Sequence, residues 1–531
     1  MKLAEAFLVF GPEPALIRQC LETDFEGEKQ LLDQSPTLLE VYPPSYSPDL
    51  SARLAVFALP EGLSLYRKGQ AEDISHFVTT DNEGLLRHCS ACRICERPSK
   101  KKEIHYLKSL VLVSTAPLYT LHRQLLEHFR ELVSRDPQYR QYQEHMRFRV
   151  DYRELLLSAL FSGLPPPSEE TLVTHYPTQT LVGTRLTEER FLQYRAQHPL
   201  QIPNYQFHIL LQRLRPEHIV DVLHCLLFEL RVVLISSDES VLAPVAEALT
   251  ALLLPFRWKH VYVPYLPLGL VGYLDAPVPY LMGIKRGSAE VSGEQVVVDL
   301  DRSKVEVPQE LPALPAPFAT HLFKTLIGIS REESLKTEEA WTAATLHTQR
   351  AVLNYFLHVL KDYDNFVTSS RSFRFQAFLD VQDVFNRPFY EHLLKTQLWA
   401  QFLEGTSEET ALFAAKLQQL KRTEYMLFRL EQAREVDALL ESYRHPLRIG
   451  LESLFNAFRP EETFAVPPKP VSARPDHETA PVTPPSDRLK CGSYWYPLQS
   501  CLFLDFQTTP TAGSLRIKNL DTGVYESLSN D

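Results

Sequence analysis

The chain has 531 residues, of which 44% are hydrophobic and 23% charged, so it can bury a large core. Its formal charge of −11, from 66 acidic and 55 basic residues, disfavours nucleic acid as a partner. The seven cysteines, an odd number spread over a long chain, favour free thiols in a reducing compartment, and we expect a cytoplasmic protein. We expect neither a secretory leader nor a transmembrane span, because the most apolar stretch, 219–236, contains three charged residues.

Short strands followed by helices are predicted over residues 1–165. The predicted strands are "EAFLVF" from residue 5, "SARLAVFALPEG" from 51, "ISHFVTT" from 74 and "KSLVLVST" from 108. The segment "DNEG" at 81–84 is typical of a turn. Apolar spacing predicts helices at "LYTLHRQLLEHFRELV" from 118 and "YRELLLSALFSGL" from 152.

Three cysteines, Cys89, Cys92 and Cys95, have the C-x-x-C-x-x-C spacing of some metal sites. They follow a predicted strand and turn, so they belong to the returning arm of a hairpin. Neighbours on a strand point to opposite faces, which separates Cys92 from the other two thiols. We therefore predict no metal site; a metalloprotein is the alternative, and metal analysis distinguishes them. The basic run 97–102 is predicted to be a solvated loop, with a phosphoinositide or GTPase contact as the alternative.

From residue 205 the predicted elements alternate. The helix "FHILLQRLRPEHIVDVLHCLLFEL" leads into the strand "RVVLISS" from residue 231, whose β-branched run suits a strand buried on both faces. A helix over 240–254 and the strands "KHVYVPYL" from 259 and "EQVVVDLD" from 294 follow. This alternation predicts a parallel α/β sheet.

The remaining chain divides by composition. Residues 166–204 are polar and turn-rich, and a connector is predicted; residues 335–460 have a helical pattern. Residues 461–489 are rich in proline, which predicts a disordered linker, and 490–531 form a tail with no assigned role. The linker contains "PPKP" at 467–470, an SH3-type motif of low specificity. A further hypothesis is that residues 461–531 lower activity.

Sequence motifs of covalent chemistry are absent. The sequence has no phosphate-binding loop, dinucleotide fingerprint, H-E-x-x-H helix or G-x-S-x-G elbow. We therefore predict no catalytic residues, cofactor or metal, and a binding protein rather than an enzyme.

The central segment resembles the DENN-domain family. The segments that carry the resemblance are "PFRWKHVYVPYLP" at 255–267, "DAPVPYLMG" at 275–283 and "VVVDLDRSKV" at 296–305. Upstream, "FALPEGLSLY" at 57–66 and "HFVTTDNEGLLRHCSACRICE" at 76–96 are similar to the family's turn and hairpin. Downstream, "PFYEHLLKTQLWAQFLEG" at 388–405 is similar to its helical part, with Trp399 in place of a phenylalanine. The resemblance covers about residues 5–410.

This resemblance implies a two-lobed α/β fold. Residues 1–165 would form the upstream DENN part, a longin-like α/β lobe. After the connector at 166–204, residues 205–330 would form the central DENN α/β sheet, and 335–460 the downstream helical subdomain. The family typically exchanges nucleotide on Rab GTPases, gripping the switch regions between both lobes during membrane traffic. The resemblance thus implies an exchange factor that works on vesicle or endosomal membranes through transient peripheral contact.

Two alternatives follow from the same resemblance. One is a non-catalytic DENN scaffold or effector that binds a Rab protein. The other is a GTPase-activating protein of a divergent DENN type, which needs an exposed arginine, and Arg257 or Arg286 is the candidate.

Three segments are candidate GTPase contacts. Ser236, Ser237, Asp238 and Ser240 follow a predicted parallel strand, and ligands of open α/β sheets favour the carboxyl ends of strands. The alternative there is structural, with Ser236 and Glu239 forming a capping box. Asp275, in the proline-rich loop, and the hairpin residues Thr80 and Asp81 are the other candidates.

Overall fold

A computed structural model describes residues 4–130, 172–177, 189–194, 205–423, 488–491, 494–497, 501–509, 512–519 and 525–529. Gaps fall at 23–26, 47, 82–83, 99–102, 128, 292, 317, 331–336, 369–371 and 406–409. The chain divides into two compact units, Met1–Leu420 and Lys421–Asp531. The predicted helix from residue 152 and the proline-rich stretch 464–487 lie outside the described residues.

The N-lobe, our name for residues 4–130, is built on an antiparallel sheet. Its strands are β1 (Ala6–Gly11), β2 (Lys29–Leu31), β3 (Thr37–Tyr42), β4 (Ser64–Tyr66), β5 (Asp73–Thr80), β6 (Leu86–Glu96) and β7 (His105–Ser114). Its helices are α1 (Pro14–Glu22), α2 (Pro48–Ala58) and α3 (119–127). Strand β7 pairs with β6 along one edge and with β1 and β4 along the other. This curled antiparallel sheet is consistent with the longin-like lobe that the family resemblance implies.

Helix α2 corrects the sequence prediction, which placed a strand at residues 51–62. Leu54, Ala55 and Ala58 are buried, and this i, i+1, i+4 spacing puts them on one face of a helix. The strand prediction relied on hydrophobicity alone and missed this period. The predicted strands from residues 5, 74 and 108 correspond to β1, β5 and β7 and are confirmed.

The cysteine hairpin is confirmed. Strand β6 pairs with β5 and β7, so it lies inside the sheet. The buried thiols of Cys89 and Cys92 pack into two different hydrophobic clusters, which shows that they point to opposite faces. Cys95, half-buried, accepts a hydrogen bond of 3.3 Å from the backbone N–H of Gln70. Within the ranges given above, no three His, Cys, Asp or Glu side chains are grouped as metal ligands.

In the sequence between the two lobes, β8 (Leu172–Pro177) and β9 (Glu189–Tyr194) form a short hairpin inside the predicted connector. The C-lobe, our name for residues 205–420, then begins with α4 (His208–Arg213) and α5 (Pro216–Leu227). One continuous helix was predicted here, and that prediction is wrong. Pro216 starts α5 and forces the preceding Arg215 into an extended conformation, so the helix restarts.

A five-stranded sheet forms the centre of the C-lobe. It comprises β10 (Arg231–Ser236), β11 (Val261–Val263), β12 (Tyr280–Lys285), β13 (Val296–Asp299) and β14 (Lys304–Glu306), in the order β11-β12-β10-β13-β14. The first four strands are parallel, as predicted, and β14 is antiparallel. A 3-10 turn, Glu239–Val241, and α6 (Leu242–Leu252) follow β10, and a second 3-10 segment covers Leu268–Asp275. Strand β12 differs from the prediction, which assigned its first residues to a loop.

Helices complete the C-lobe, in agreement with the helical downstream part that the resemblance implies. They are α7 (Phe318–Ser330), α8 (Glu338–Val359), α9 (Phe375–Asp380), α10 (Arg387–Leu393) and α11 (Gln397–Glu404), with a 3-10 turn at Tyr363–Phe366 and helical residues 410–420. Trp399 is buried among aromatic rings, with its centroid 5.1 Å from that of Phe373 and 5.4 Å from that of Phe402. Tryptophan therefore fills a core position where the family has phenylalanine.

One hydrophobic core runs through both lobes. Phe10 and Phe77 of the N-lobe belong to the same buried cluster as Leu234 and Leu249 of the C-lobe. Strand β5 packs directly on the Glu239–Val241 turn and on α6. Because apolar contacts join the lobes without interruption, their relative position is fixed by packing as well as by chain connection.

From residue 488 on, the described residues of the second unit are strands. Strands β15 (Arg488–Cys491) and β16 (Tyr494–Pro497) form a hairpin, and β17 (Cys501–Thr509), β18 (Ala512–Asn519) and β19 (Tyr525–Ser529) form an antiparallel meander. The sequence analysis assigned no strand here, although "SLRIKN" alternates apolar and polar residues. Among the helices of the described ranges, none is both long enough and apolar enough to cross a bilayer.

Candidate functional site

The turn after β10 lies at the carboxyl end of the parallel strands. Ser236 is fully buried, and its Oγ donates a hydrogen bond of 2.8 Å to Asp301 Oδ1. The backbone N–H of Ser237 donates to Asp301 Oδ2 at 2.8 Å. Ser237 and Asp238 are exposed and Ser240 is half-buried. Of the four residues predicted here, Ser236 is therefore part of the interior, and the other three reach the surface.

The predicted capping box is wrong. Asp238, rather than Ser236, caps the following 3-10 turn: its Oδ1 accepts from the Ser240 N–H at 3.1 Å and from the Ser240 hydroxyl at 2.6 Å. Glu239 points away from the turn and enters the contact between the lobes. A residue expected to serve its own helix thus serves the other lobe.

Asp301 organises this edge of the sheet. Burial raises the pKa of its carboxyl, but the hydrogen bonds from Ser236, the Ser237 backbone and Arg286 outweigh burial and lower the pKa to about 2. Arg286 donates from Nε to Asp301 at 2.9 Å and from Nη2 to Asp299. The guanidinium that the GTPase-activating alternative would use is therefore engaged by two aspartates. Arg257, the other candidate, is exposed.

The remaining predicted contacts lie elsewhere. Asp275 precedes β12, whose first residue, Tyr280, pairs with Arg231, the first residue of β10, so Asp275 lies toward the amino ends of the strands. Thr80 ends β5, roughly 24 Å from Asp73 at the other end of that strand. Asp81 holds its turn, accepting from the Leu85 N–H at 2.9 Å. The structure does not bring the three predicted groups together.

A chain of six alternating charges crosses the junction of the lobes at the carboxyl end of the sheet. In order, it comprises Asp73, Arg93, Glu239, Lys285, Glu61 and Lys29. Glu239 and Lys285 belong to the C-lobe and the other four to the N-lobe. Lys285 Nζ lies 2.9 Å from Glu239 Oε1, and Lys29 Nζ lies 2.8 Å from Glu61 Oε2. Because three acids alternate with three bases, the charges of this ionic chain neutralise one another. Buried Arg93 and Glu239 are thus both paired with opposite charges.

Two carboxylates of this ionic chain, those of Glu239 and Glu61, are held ionised. Burial raises the pKa of Glu239, but Arg93 and Lys285 outweigh burial and lower it. For Glu61, burial again raises the pKa, and the hydrogen bonds from Lys285 and Lys29 lower it to about 2. Burial lowers the pKa of the Arg93 guanidinium, yet Asp73 and Glu239 raise it above its ordinary value. The lobes are therefore joined by charges that persist at neutral pH.

A groove opens beside this ionic chain. It has a volume of about 360 Å³ and is lined from the N-lobe by Lys29, Leu31, Pro60 and Glu61 and from the C-lobe by Tyr265, Leu266, Leu268 and residues 285–288. A smaller hollow of about 170 Å³ adjoins it and shares Pro60, Glu61 and Lys285. The Leu268 N–H donates a 3.1 Å hydrogen bond to the Pro60 carbonyl, which fixes the two walls. We call this cavity the interlobe groove.

The interlobe groove combines apolar and charged side chains, since Leu31 and Leu268 line it beside charged residues of both lobes. Leu31 and Leu268 are exposed large hydrophobic side chains, one from each lobe. Residues 261–284, which contain Leu268, carry one charged side chain, Asp275. The groove therefore offers exposed apolar side chains from both lobes beside charged ones, a combination suited to a docking surface.

A second polar contact joins the lobes away from the groove. Glu247, on α6, accepts a hydrogen bond of 3.2 Å from the Tyr119 hydroxyl, and His88 Nδ1 lies 3.2 Å from the same oxygen. Tyr119 and His88 belong to the N-lobe, and all three side chains are buried. Glu239 and Glu247 thus anchor the C-lobe to the N-lobe at two separate points.

Two protein-family models match the chain. The family model of the uDENN domain matches residues 36–94, and that of the DENN (AEX-3) domain matches residues 105–303. The chain is a DENN-domain protein. The interlobe groove lies where the two matched regions meet, since Pro60 and Glu61 belong to the uDENN match and Leu268 and Lys285 to the DENN match.

The curated proteins include a plant relative of this DENN-domain protein. The chain is 26% identical over 340 residues to the DENN domain and WD repeat-containing protein SCD1 of Arabidopsis thaliana. The alignment covers 60% of this chain and 27% of the relative, so the chain spans about a quarter of that protein.

Proposed function

We propose that this DENN-domain protein is a guanine-nucleotide exchange factor for a Rab-type GTPase. The observation that carries the proposal is the interlobe groove, which takes its walls from both matched DENN regions and exposes one large apolar side chain, Leu31 or Leu268, from each lobe. Exchange needs no covalent step, so the absence of a catalytic motif from the sequence is compatible with it. We propose that the protein acts in membrane traffic, reaching vesicle or endosomal membranes transiently with its GTPase.

The physical demand on such a factor is large. Release of GDP that is bound at about 1 nM costs roughly 12 kcal/mol. The factor offsets this cost only if it binds the nucleotide-free GTPase more tightly than the GDP-bound form, since differential affinity alone shifts an equilibrium. A surface that is already formed spends little of its binding energy on its own ordering. The shared core and the ionic chain hold the surface of the groove in place before binding. The switch regions of the GTPase therefore make the conformational change.

We propose that the contact centres on the groove. Leu31 and Leu268 would enter the apolar part of the interface. Ser237 and Asp238 lie on the same side, because Lys285 pairs with Ser236 across the sheet and contacts Glu239. Ser236 contributes indirectly by holding Asp301. Asp275, Thr80 and Asp81 are not part of this proposed contact.

The test is release of fluorescent GDP from a panel of purified Rab proteins in the presence of excess GTP. We expect the full chain to accelerate release from one or a few members in proportion to its concentration. Leu268→Asp places a charge in the rim and is expected to lower that acceleration at least tenfold. No acceleration of any member, with stable binding to one of them, would contradict exchange and favour the scaffold or effector alternative.

A matched control separates the groove from the proline-rich loop. Val278 is exposed to a similar degree as Leu268, 43% against 47%, and lies in the same stretch 261–284 but toward the amino ends of the strands. Val278→Asp is expected to leave exchange within twofold of the wild-type rate. The opposite result, with Val278→Asp inactive and Leu268→Asp active, would move the contact to the loop around Asp275.

A further inference from the structure

An exposed apolar knob stands on the helical part of the C-lobe. Residues 381–385 connect α9 to α10, and three of them, Val381, Val384 and Phe385, are exposed large hydrophobic side chains. Phe385 is 87% exposed, the highest value among the large hydrophobic residues that the structure describes. Leaving these groups in water is unfavourable by roughly 25 cal/mol per Å² of apolar surface, so their outward position calls for a reason.

The knob is held rigidly. Asp383 Oδ1 accepts from the Phe385 N–H at 2.8 Å, and the Asp383 carbonyl accepts from the Asn386 N–H at 2.9 Å. Arg387 donates from Nε to the Leu379 carbonyl at 3.1 Å, tying the end of α9 to the start of α10. A loop fixed at both ends does not fold its apolar side chains inward, and it loses little entropy on binding.

The base of the knob is equally fixed. Phe378 and Tyr390 are buried on either side of it, with ring centroids 5.4 Å apart. Phe389, in α10, packs 5.6 Å from Phe228, which precedes β10. The knob therefore lies toward the amino ends of the parallel strands, whereas the interlobe groove lies at their carboxyl ends. The two surfaces are separate, and a partner of the knob does not depend on the GTPase proposal.

The charges around the knob indicate what it binds. Asp380 and Asp383 are exposed beside the apolar side chains, each with one carboxylate oxygen in a local hydrogen bond. The guanidinium groups nearby are engaged by backbone oxygens: Arg387 donates to carbonyl oxygens of α9, and exposed Arg374 donates to the Asn365 carbonyl. The knob thus presents apolar groups and carboxylates. Its complement is an apolar cleft with cationic side chains at the rim.

We propose that Val381, Val384 and Phe385 form a docking site for a second protein whose surface offers a basic-rimmed apolar cleft. A membrane is a poorer occupant, since anionic lipid headgroups repel the two aspartates. A second copy of the chain is also a poorer occupant. Three side chains supply much less than the roughly 800 Å² per partner of a stable interface, unless the partner encloses them. An enclosed aromatic side chain is typical of an interface hot spot.

The experiment uses the full chain in cells with the photo-crosslinking residue p-benzoylphenylalanine in place of Phe385. A matched chain carries it in place of Lys324, which is exposed on α7. We expect one protein adduct from position 385 and no such adduct from position 324. We expect the adduct to be lost when Val381→Asp and Val384→Asp are added. The captured protein, once purified, is expected to bind Phe385→Ala at least tenfold more weakly than the wild type. The Asp380→Lys, Asp383→Lys variant is expected to bind weakly too and to lose the salt dependence of binding.

Four outcomes would overturn the proposal. One is an adduct that persists with both aspartates introduced, or that forms equally at position 324. A second is flotation with phosphatidylcholine–phosphatidylserine vesicles that depends on Phe385, which would assign the knob to membranes. A third is concentration-dependent dimerisation in sedimentation that Phe385→Ala abolishes, which would make the partner a second copy. The last is that the captured protein binds Phe385→Ala as tightly as the wild type, when thermal unfolding shows that the variant and the wild type are both folded.

Discussion

At the residue scale, Gly283 shows how one missing side chain shapes the site. A Cβ placed on Gly283 in β12 would lie 2.0 Å from the Pro264 carbonyl oxygen, and that atom belongs to backbone that cannot turn aside. We expect Gly283→Ala to lower the free energy of unfolding by about 1–3 kcal/mol or more through overpacking. Urea denaturation measures the change. Gly269→Ala is the control, since a Cβ there meets nothing within 4 Å.

Of three charged residues at the lobe junction, one has a sequence context that indicates a buried ion pair, and the other two have none. Arg93 stands alone among small and apolar neighbours in "CSACRICE", and a lone arginine in a buried strand implies a buried acid. Glu239 and Lys285 gave no such signal, because each has an ordinary local explanation as a helix-start or a strand-end residue. Their roles depend on a contact between residues far apart in sequence, with Arg93 and Glu239 separated by 146 positions. Periodicity carries no information on such pairs.

At the element scale, elements were predicted correctly where burial of one or both faces set the pattern of apolar residues along the sequence. Strand β10 was identified because Val232 and Leu234 face one cluster and Val233 another, which yields a continuous β-branched run. Helix α2 and strand β12 were missed because short apolar runs suit helix, strand and loop alike. The site suffered in the same way: the turn after β10 was found, and the opposite wall of the groove, which includes the end of β12, was not.

Strand β6 carries a testable consequence for the cysteines. Burial raises the pKa of the Cys92 thiol to about 12 and raises that of Cys89 further. Thiols react as thiolates, so both are expected to resist a thiol reagent such as DTNB at pH 8 until the protein is unfolded. Half-buried Cys95 serves as the comparison and is expected to react faster. Rapid labelling of Cys89 or Cys92 in mass spectra, or a stoichiometric metal ion in the purified protein, would contradict the hairpin assignment.

At the scale of the whole molecule, the lobes are expected to unfold together under acid. Burial raises the pKa of both Glu61 and Glu239, but the cations of the ionic chain lower them below the ordinary value of 4.5, to about 2 for Glu61. A carboxyl group whose pKa is lowered on folding contributes stability that is fully present above about pH 4.5 and is lost as the pH falls toward 2. These two groups are therefore expected to make the free energy of unfolding decrease below about pH 5, beyond an earlier decrease below about pH 6.5 from buried His76 and His224, whose pKa values burial lowers. Because the largest buried cluster spans both lobes, we expect the two lobes to lose their structure together.

Hydrogen exchange followed by mass spectrometry between pH 7 and pH 3 tests this, since peptides report each lobe separately. We expect peptides from 4–130 and 205–420 to lose protection, after correction for intrinsic exchange, at the same pH. Glu61→Gln is expected to lower stability at pH 7 and to flatten the decrease below pH 5, because the titrating group is gone. Glu294→Gln is the control: Glu294 pairs with Arg231 but is 79% exposed, so it should change neither value appreciably. Loss of protection in the N-lobe at a higher pH than in the C-lobe would show two independent lobes, and the preformed groove on which the exchange proposal depends would then have to assemble on binding.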